Sequence, residues 1–93
     1  MTFDWDPAKD ASNRVKHGVS FEAAQLALND PHAISEVDRV VEGEERWKTI
    51  SAVGGLILLI AHTYENHGHE ELVRIISARK ANARERSRYE QAP

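Results

Sequence analysis

Cysteine is absent from the 93 residues. No disulfide framework can staple the fold, and no thiolate can hold a metal. The absence suits a reducing compartment, and a cytoplasmic protein is expected. Long apolar runs are missing as well. The longest stretch, Ala52 to Ala61, is interrupted by Gly54-Gly55. It reaches about half of the roughly 20 residues that a membrane helix needs, so no membrane partner is expected. The opening Met-Thr-Phe-Asp-Trp-Asp has neither the basic start nor the apolar run of a signal peptide. Internal repeats, low-complexity segments and a glycine-rich phosphate loop are also missing.

What is present describes a soluble globular chain. Apolar residues make up 41% and charged residues 29%, a balance that excludes intrinsic disorder. The length points to a single domain over residues 1–93 with a modest core. The charge is unevenly placed. From Leu72 to Pro93, six Lys/Arg face two acids, a net of +4, whereas Met1 to Glu71 carries a net of −7. Such asymmetry points to an anionic partner for the basic end.

Asp6-Pro7 reads as an N-cap followed by a first-turn proline, and the helix it starts runs to Lys16-His17 and stops at Gly18. Ser20 caps a second helix, Phe21 to Leu28, which Asn29-Asp30-Pro31 ends. Strands are expected over Ala33 to Val37, Arg46 to Val53, Leu56 to Tyr64 and Leu72 to Ser77. Asp38 to Glu45 reads as a loop or frayed hairpin, Gly54-Gly55 as a two-residue hairpin turn, and Glu65 to Glu71 as a polar loop. A last helix is expected from Ala78 to about Gln91. The pattern is α+β: two N-terminal helices, a four-stranded antiparallel meander and a C-terminal helix.

On that last helix, Arg79, Asn82, Arg86 and Tyr89 fall on one stripe. Guanidinium forks match phosphate oxygens, and a phenol can stack on a base or donate a proton. The plainer alternative is a solvated basic face, but the apolar side of this helix offers little beyond alanines. Lys16-His17-Gly18 complements a helix dipole and caps the helix, and a histidine is also the usual proton carrier in catalysis. Arg46 and Arg74 alternate with apolar residues on strands, so the two can face the same way. Trp47 reads as core and Trp5 as a packing anchor. His62, His67 and His69 with Glu70 and Glu71 fall short of the three or four supported ligands of a zinc site, and no metal is assigned.

Three separated motifs carry a resemblance that spans nearly the whole chain. They are Phe3-x-Trp5-Asp6-x-x-Lys9-x-x-x-Asn13-x-x-Lys16-His17-Gly18-Val19-Ser20-Phe21-x-x-Ala24, then Glu45-Arg46-Trp47, then Arg74-Ile75-Ile76-Ser77-Ala78-Arg79-Lys80-Ala81 with Glu85-Arg86-x-x-Tyr89. In these the chain resembles the BrnT family of toxins from type II toxin–antitoxin systems. The resemblance implies a RelE-like fold and RNA cleavage that arrests translation. It also implies a cognate ribbon-helix-helix antitoxin, a toxin–antitoxin heterotetramer, and binding of operator DNA through the antitoxin. The expected active-site residues are Lys16, His17, Arg46, Arg79 and Tyr89, with Arg74, Lys80, Asn82 and Arg86 holding phosphates.

Metal-independent cleavage by the ribose 2′-hydroxyl needs a base, an acid and cations around the phosphorane, and no cofactor. Arg79 and Arg46 are expected in the electrostatic role. His17 is the candidate acid or base, with Tyr89 and Glu85 as alternatives. The competing expectation is a non-catalytic module that acts only in antitoxin binding and operon regulation.

Overall fold

The computed structural model describes residues 1–92. Its elements are β1 (Thr2–Asp4), α1 (Pro7–His17), α2 (Phe21–Ala27), β2 (Ile34–Val41), β3 (Glu44–Val53), β4 (Leu56–His62), β5 (Glu65–His67), β6 (Glu70–Lys80) and α3 (Ala83–Gln91). The two helical starts follow local chemistry. The Asp6 side chain accepts from Ala8 N, Pro7 opens α1, and Gly18 ends it in the left-handed region at φ 70°. The Ser20 side chain accepts from Ala23 N at the head of α2.

The expected four-stranded antiparallel meander is not what forms. The sheet has six strands and is mixed, in the order β1-β6-β4-β3-β2 with β5 paired to β6. β1 runs parallel to β6, with Phe3 opposite Val73. Three residues are too few to show alternation, so this strand has no local signature; it exists because β6 offers it an edge. β5 folds back on β6 through Glu65 opposite Leu72, inside the segment expected as a loop. The segment expected to fray, Asp38 to Glu45, instead closes the β2–β3 hairpin, with a register shift between Val37 and Arg39. The Gly54-Gly55 turn joins β3 to β4 with both φ angles positive, as a tight two-residue hairpin requires.

The last helix also starts later than expected. β6 continues to Lys80 because β4 pairs with it as far as Leu58 opposite Lys80. Cross-strand pairing overrides the helix propensity of the alanines. Helix α3 begins only where Asn82 and Glu85 form a capping box. Arg79 and Lys80 are therefore strand residues, and Arg79, Asn82, Arg86 and Tyr89 do not make one helical stripe.

One sheet face carries the core. Phe21, Ala24 and Ala27 of α2 pack with Val19 against Leu58, Ile60, Ile75 and Ala78. Trp5 meets Phe21 edge-on at 6.2 Å, so it is the anchor expected of it. Trp47 is half-buried against Tyr64. On the other face α3 lies over Ile34, Ile50 and Leu59, enclosing a cavity of about 20 Å³. No residue of α3 is buried.

Beyond Arg74 that edge of β6 has no strand beside it among the described residues, and α1 closes it with one side chain. Asn13 Nδ2 donates to Ala78 O at 2.8 Å and to Val19 O at 2.8 Å, while its Oδ1 accepts from Ala78 N at 3.1 Å. The amide imitates one rung of a strand and holds α1 alongside β6.

His62 is spent inside the fold. Its Nδ1–H donates to Thr63 O at 3.0 Å, so its neutral Nε2 accepts from the Thr49 hydroxyl at 2.7 Å, which in turn accepts from Ser35 at 2.7 Å. Burial pushes the His62 pKa below its ordinary 6.5. The unfolded chain therefore takes up a proton that the folded one refuses, and stability is lost as pH falls below 6.5 towards that depressed value. Urea midpoints measured from pH 7 to pH 5 should decline, and His62→Gln should flatten the decline.

Candidate functional site

Glu44 and Arg46 lie two residues apart on β3, so they share a sheet face, opposite to Trp47. Arg74 on β6 alternates with buried Val73 and Ile75 and points away from the core. Lys9 reaches the same place from α1. The four side chains, with Thr63, Ile75 and Ile76, line a cleft of about 300 Å³. Glu44 Oε1 accepts from Arg46 Nε at 3.1 Å. Among the described residues neither Arg74 nor Lys9 has an ion-pair partner. Three cations thus face one carboxylate in a chain of net charge −3. A concave surface with surplus positive charge focuses field and attracts anions.

The other basic residues are placed differently. Arg79 forms a two-pronged ion pair with Glu85, at 2.8 and 3.0 Å. That pair, with the capping box, holds the Glu85 carboxyl below its ordinary range and raises the Arg79 guanidinium. Arg86 Nη1 donates to Ala81 O at 3.0 Å, and Asn82 is the cap of α3. Tyr89 donates its hydroxyl proton to Asp30, a bond that raises the Tyr89 pKa. Burial pushes Asp30 up, but hydrogen bonds from Tyr89, His32 N and Ala52 N outweigh it and keep the carboxylate ionised. Arg88 pairs with Glu36 at 3.1 Å. These polar clamps, rather than apolar burial, hold α3 on the sheet. Glu85→Gln should therefore cost roughly 1 kcal/mol, a fall of about 4–8 °C in melting temperature, and the difference from the wild type should narrow at high salt.

Lys16 and His17 end α1. His17 lies four residues past Asn13, about 6 Å along the helix. Asn13 sits beside Ala78, and neither Lys16 nor His17 lines the Arg46–Arg74 cleft. The expected residues therefore divide. Arg46 and Arg74 share the cleft. Arg79, Asn82, Arg86 and Tyr89 gather at α3, Lys16 and His17 end α1, and Lys80 ends β6. Five strand residues, about 16 Å, separate Arg74 from Arg79.

Two cleft residues escaped the expected site. Lys9 lies seven residues before Lys16 on the same helix face, but the packing of α1 against β6 is what brings it here, and Glu44 fell in the segment expected as a loop, ahead of the strand expected from Arg46. Among the described residues no three His, Cys, Asp or Glu side chains converge as metal ligands. His67 instead pairs with Glu65 at 2.8 Å. Among the described residues no helix is long and apolar enough to cross a membrane.

A family model described as the ribonuclease toxin BrnT of type II toxin–antitoxin systems matches residues 5–85. The chain belongs to the BrnT family. The match takes in the α1 motif, the whole sheet from β2 onward, and the start of α3 as far as Glu85. All four charged residues of the cleft fall within it. No curated protein matches the chain. Membership in this family makes the chain a ribonuclease toxin of a type II system, whose partner is a protein antitoxin.

Proposed function

We propose that this BrnT-family toxin cleaves RNA internally, without a metal, by attack of the ribose 2′-hydroxyl on the adjacent phosphorus, and that the scissile phosphate lies between Arg46 and Arg74. The observation that carries this reading is the convergence of Arg46, Arg74 and Lys9 on one cleft, from three separate elements, in an acidic protein. Guanidinium forks bind phosphate oxygens in pairs, and they stabilise charge that grows on those oxygens in the transition state.

Lys80, Arg86 and Lys16 extend the path for flanking phosphates, and His17 stands beside it. Arg79 and Tyr89, bonded to Glu85 and Asp30, hold the α3 wall of that path, which Asn82 caps. The cleavage is of the mRNA interferase kind and stops translation in the cytoplasm. A ribbon-helix-helix antitoxin neutralises it within a heterotetramer, and that complex represses its own operon by binding operator DNA through the antitoxin.

The test is direct. Purified protein incubated with single-stranded RNA in excess chelator should give fragments with 2′,3′-cyclic phosphate and 5′-hydroxyl ends. Substrate carrying 2′-O-methyl groups throughout should resist. Cleavage that vanishes with chelator and returns with a divalent cation would refute the mechanism.

A further inference from the structure

The proton acceptor is the part of the reaction that the expected residues leave unfilled. Of the three candidates, Glu85 is held by Arg79, Tyr89 gives its proton to Asp30, and His17 ends the helix that begins two residues before Lys9. The cleft itself supplies one carboxylate, Glu44. We propose that Glu44 is the general base and Lys9 the general acid of RNA cleavage in the Arg46–Arg74 cleft. This inference rests on the ribonuclease reading and gives two further residues their roles in it.

The sheet order supports the assignment. β4 separates β3 from β6, and α1 flanks the far edge of β6. Glu44 therefore enters the cleft from the β3 side and Lys9 from the α1 side, with Arg74 between them. In-line displacement at phosphorus needs this arrangement, because the attacking and leaving oxygens lie on opposite sides of the phosphorus. Glu44 accepts the 2′-hydroxyl proton as the O2′–P bond forms. The P–O5′ bond breaks, and O5′ takes a proton from the Lys9 ammonium. Arg46 and Arg74 bind the two non-bridging oxygens. The products are a 2′,3′-cyclic phosphate and a 5′-hydroxyl; no water is consumed, and solvent exchange restores both protonation states.

The plainer role for Glu44 is to orient Arg46, which it touches at 3.1 Å. The charged and titratable groups around it are Arg46 on its own strand, Arg74 on β6 and Lys9 on α1. On its other side, Glu45, Tyr64 and Glu65 line a second hollow that Glu44 shares. A pH profile separates the two roles, since an orienting residue changes the height of the profile and a base changes its shape.

The experiment uses the full chain, a single-stranded RNA oligonucleotide in chelator, and steady-state rates across pH. Binding is measured separately on the same oligonucleotide with 2′-O-methyl groups, and folding by circular dichroism. Glu44 and Lys9 are both exposed, so their variants should fold. Glu44→Gln should lower kcat by about 10²–10⁴-fold, keep analogue binding within about threefold, and abolish the acid limb of the profile. Glu44→Asp should restore that limb. Lys9→Ala should abolish the alkaline limb, and Lys9→Arg should restore binding but not the limb. If Glu44→Gln keeps the wild-type profile shape, or loses rate only through weaker binding, the assignment falls while the ribonuclease reading stands. Wild-type protein that binds the analogue but never cleaves RNA would remove the ribonuclease reading itself. Loss of antitoxin affinity in both variants, with RNA cleavage unchanged, would overturn the assignment and give the cleft to an acidic protein surface.

Discussion

Arg46→Ala lowers the rate of RNA cleavage by about 10²–10³-fold, mostly in kcat, and leaves the protein folded. The magnitude is that of one donor aimed at oxygens that gain charge in the transition state. The side chain is half-buried in the cleft wall and hydrogen-bonded to Glu44, so its fork is already oriented before substrate arrives. Truncation removes the donor and also frees the Glu44 carboxylate, leaving its charge nearer the substrate phosphate. Arg46→Lys recovers part of the loss, because it restores charge but not the planar two-pronged geometry. Rates on a defined oligonucleotide in chelator, with a melting curve for each variant, decide the matter. A tenfold or smaller effect on kcat would remove Arg46 from the transition state.

Asn13→Ala destabilises the fold by about 3–5 kcal/mol. The side chain satisfies a buried N–H and two buried carbonyls, Ala78 N, Ala78 O and Val19 O. Each polar group left unsatisfied in the interior costs roughly 1–3 kcal/mol, and water reaching the opened edge recovers part of the sum. For a domain whose whole stability is on the order of 5–15 kcal/mol, that is a large share. Asn13→Asp separates bonding from volume. It keeps the acceptor for Ala78 N but loses both donors and turns a carboxylate towards two carbonyls, so it should be at least as damaging as alanine. Urea denaturation of the three proteins at pH 7 gives the ranking. The consequence reaches the cleft, because α1 carries Lys9, and an α1 no longer fixed to β6 places that ammonium less well.

Several features were legible because their causes are local. The caps at Asp6, Gly18 and Ser20 are hydrogen bonds or backbone angles settled within four residues, and the helices start and stop where those residues stand. Gly54-Gly55 made its hairpin for the same reason. The late start of α3 was legible too, since Asn82-Ala-Arg-Glu85 is a capping-box spacing. The preceding Ala78-Arg79-Lys80-Ala81 is equally compatible with a helix, and a boundary at Ala78 is too early. Alternation on β3 and β6 was enough to place Arg46 and Arg74 on faces that can coincide.

Other features had no local cause. β1 is a strand because β6 leaves an edge free along Leu72 to Arg74. Lys9 joins the cleft because Asn13 fixes α1 beside β6. Tyr89 and Arg79 are occupied because Asp30 and Glu85 happen to lie across from them. By itself the sequence determined the family, the α+β composition, the helix limits at α1 and the start of α2, and it offered Arg46 and Arg74 as candidates for one face. Only the tertiary structure decided the mixed six-stranded sheet, the separation of Arg79 from the Arg46–Arg74 cleft, and the company of Glu44 and Lys9. The physical reason is range. Caps and turns are closed by neighbours in the chain, whereas a strand edge, a shared face and a cleft exist only when segments tens of residues apart pair their backbones.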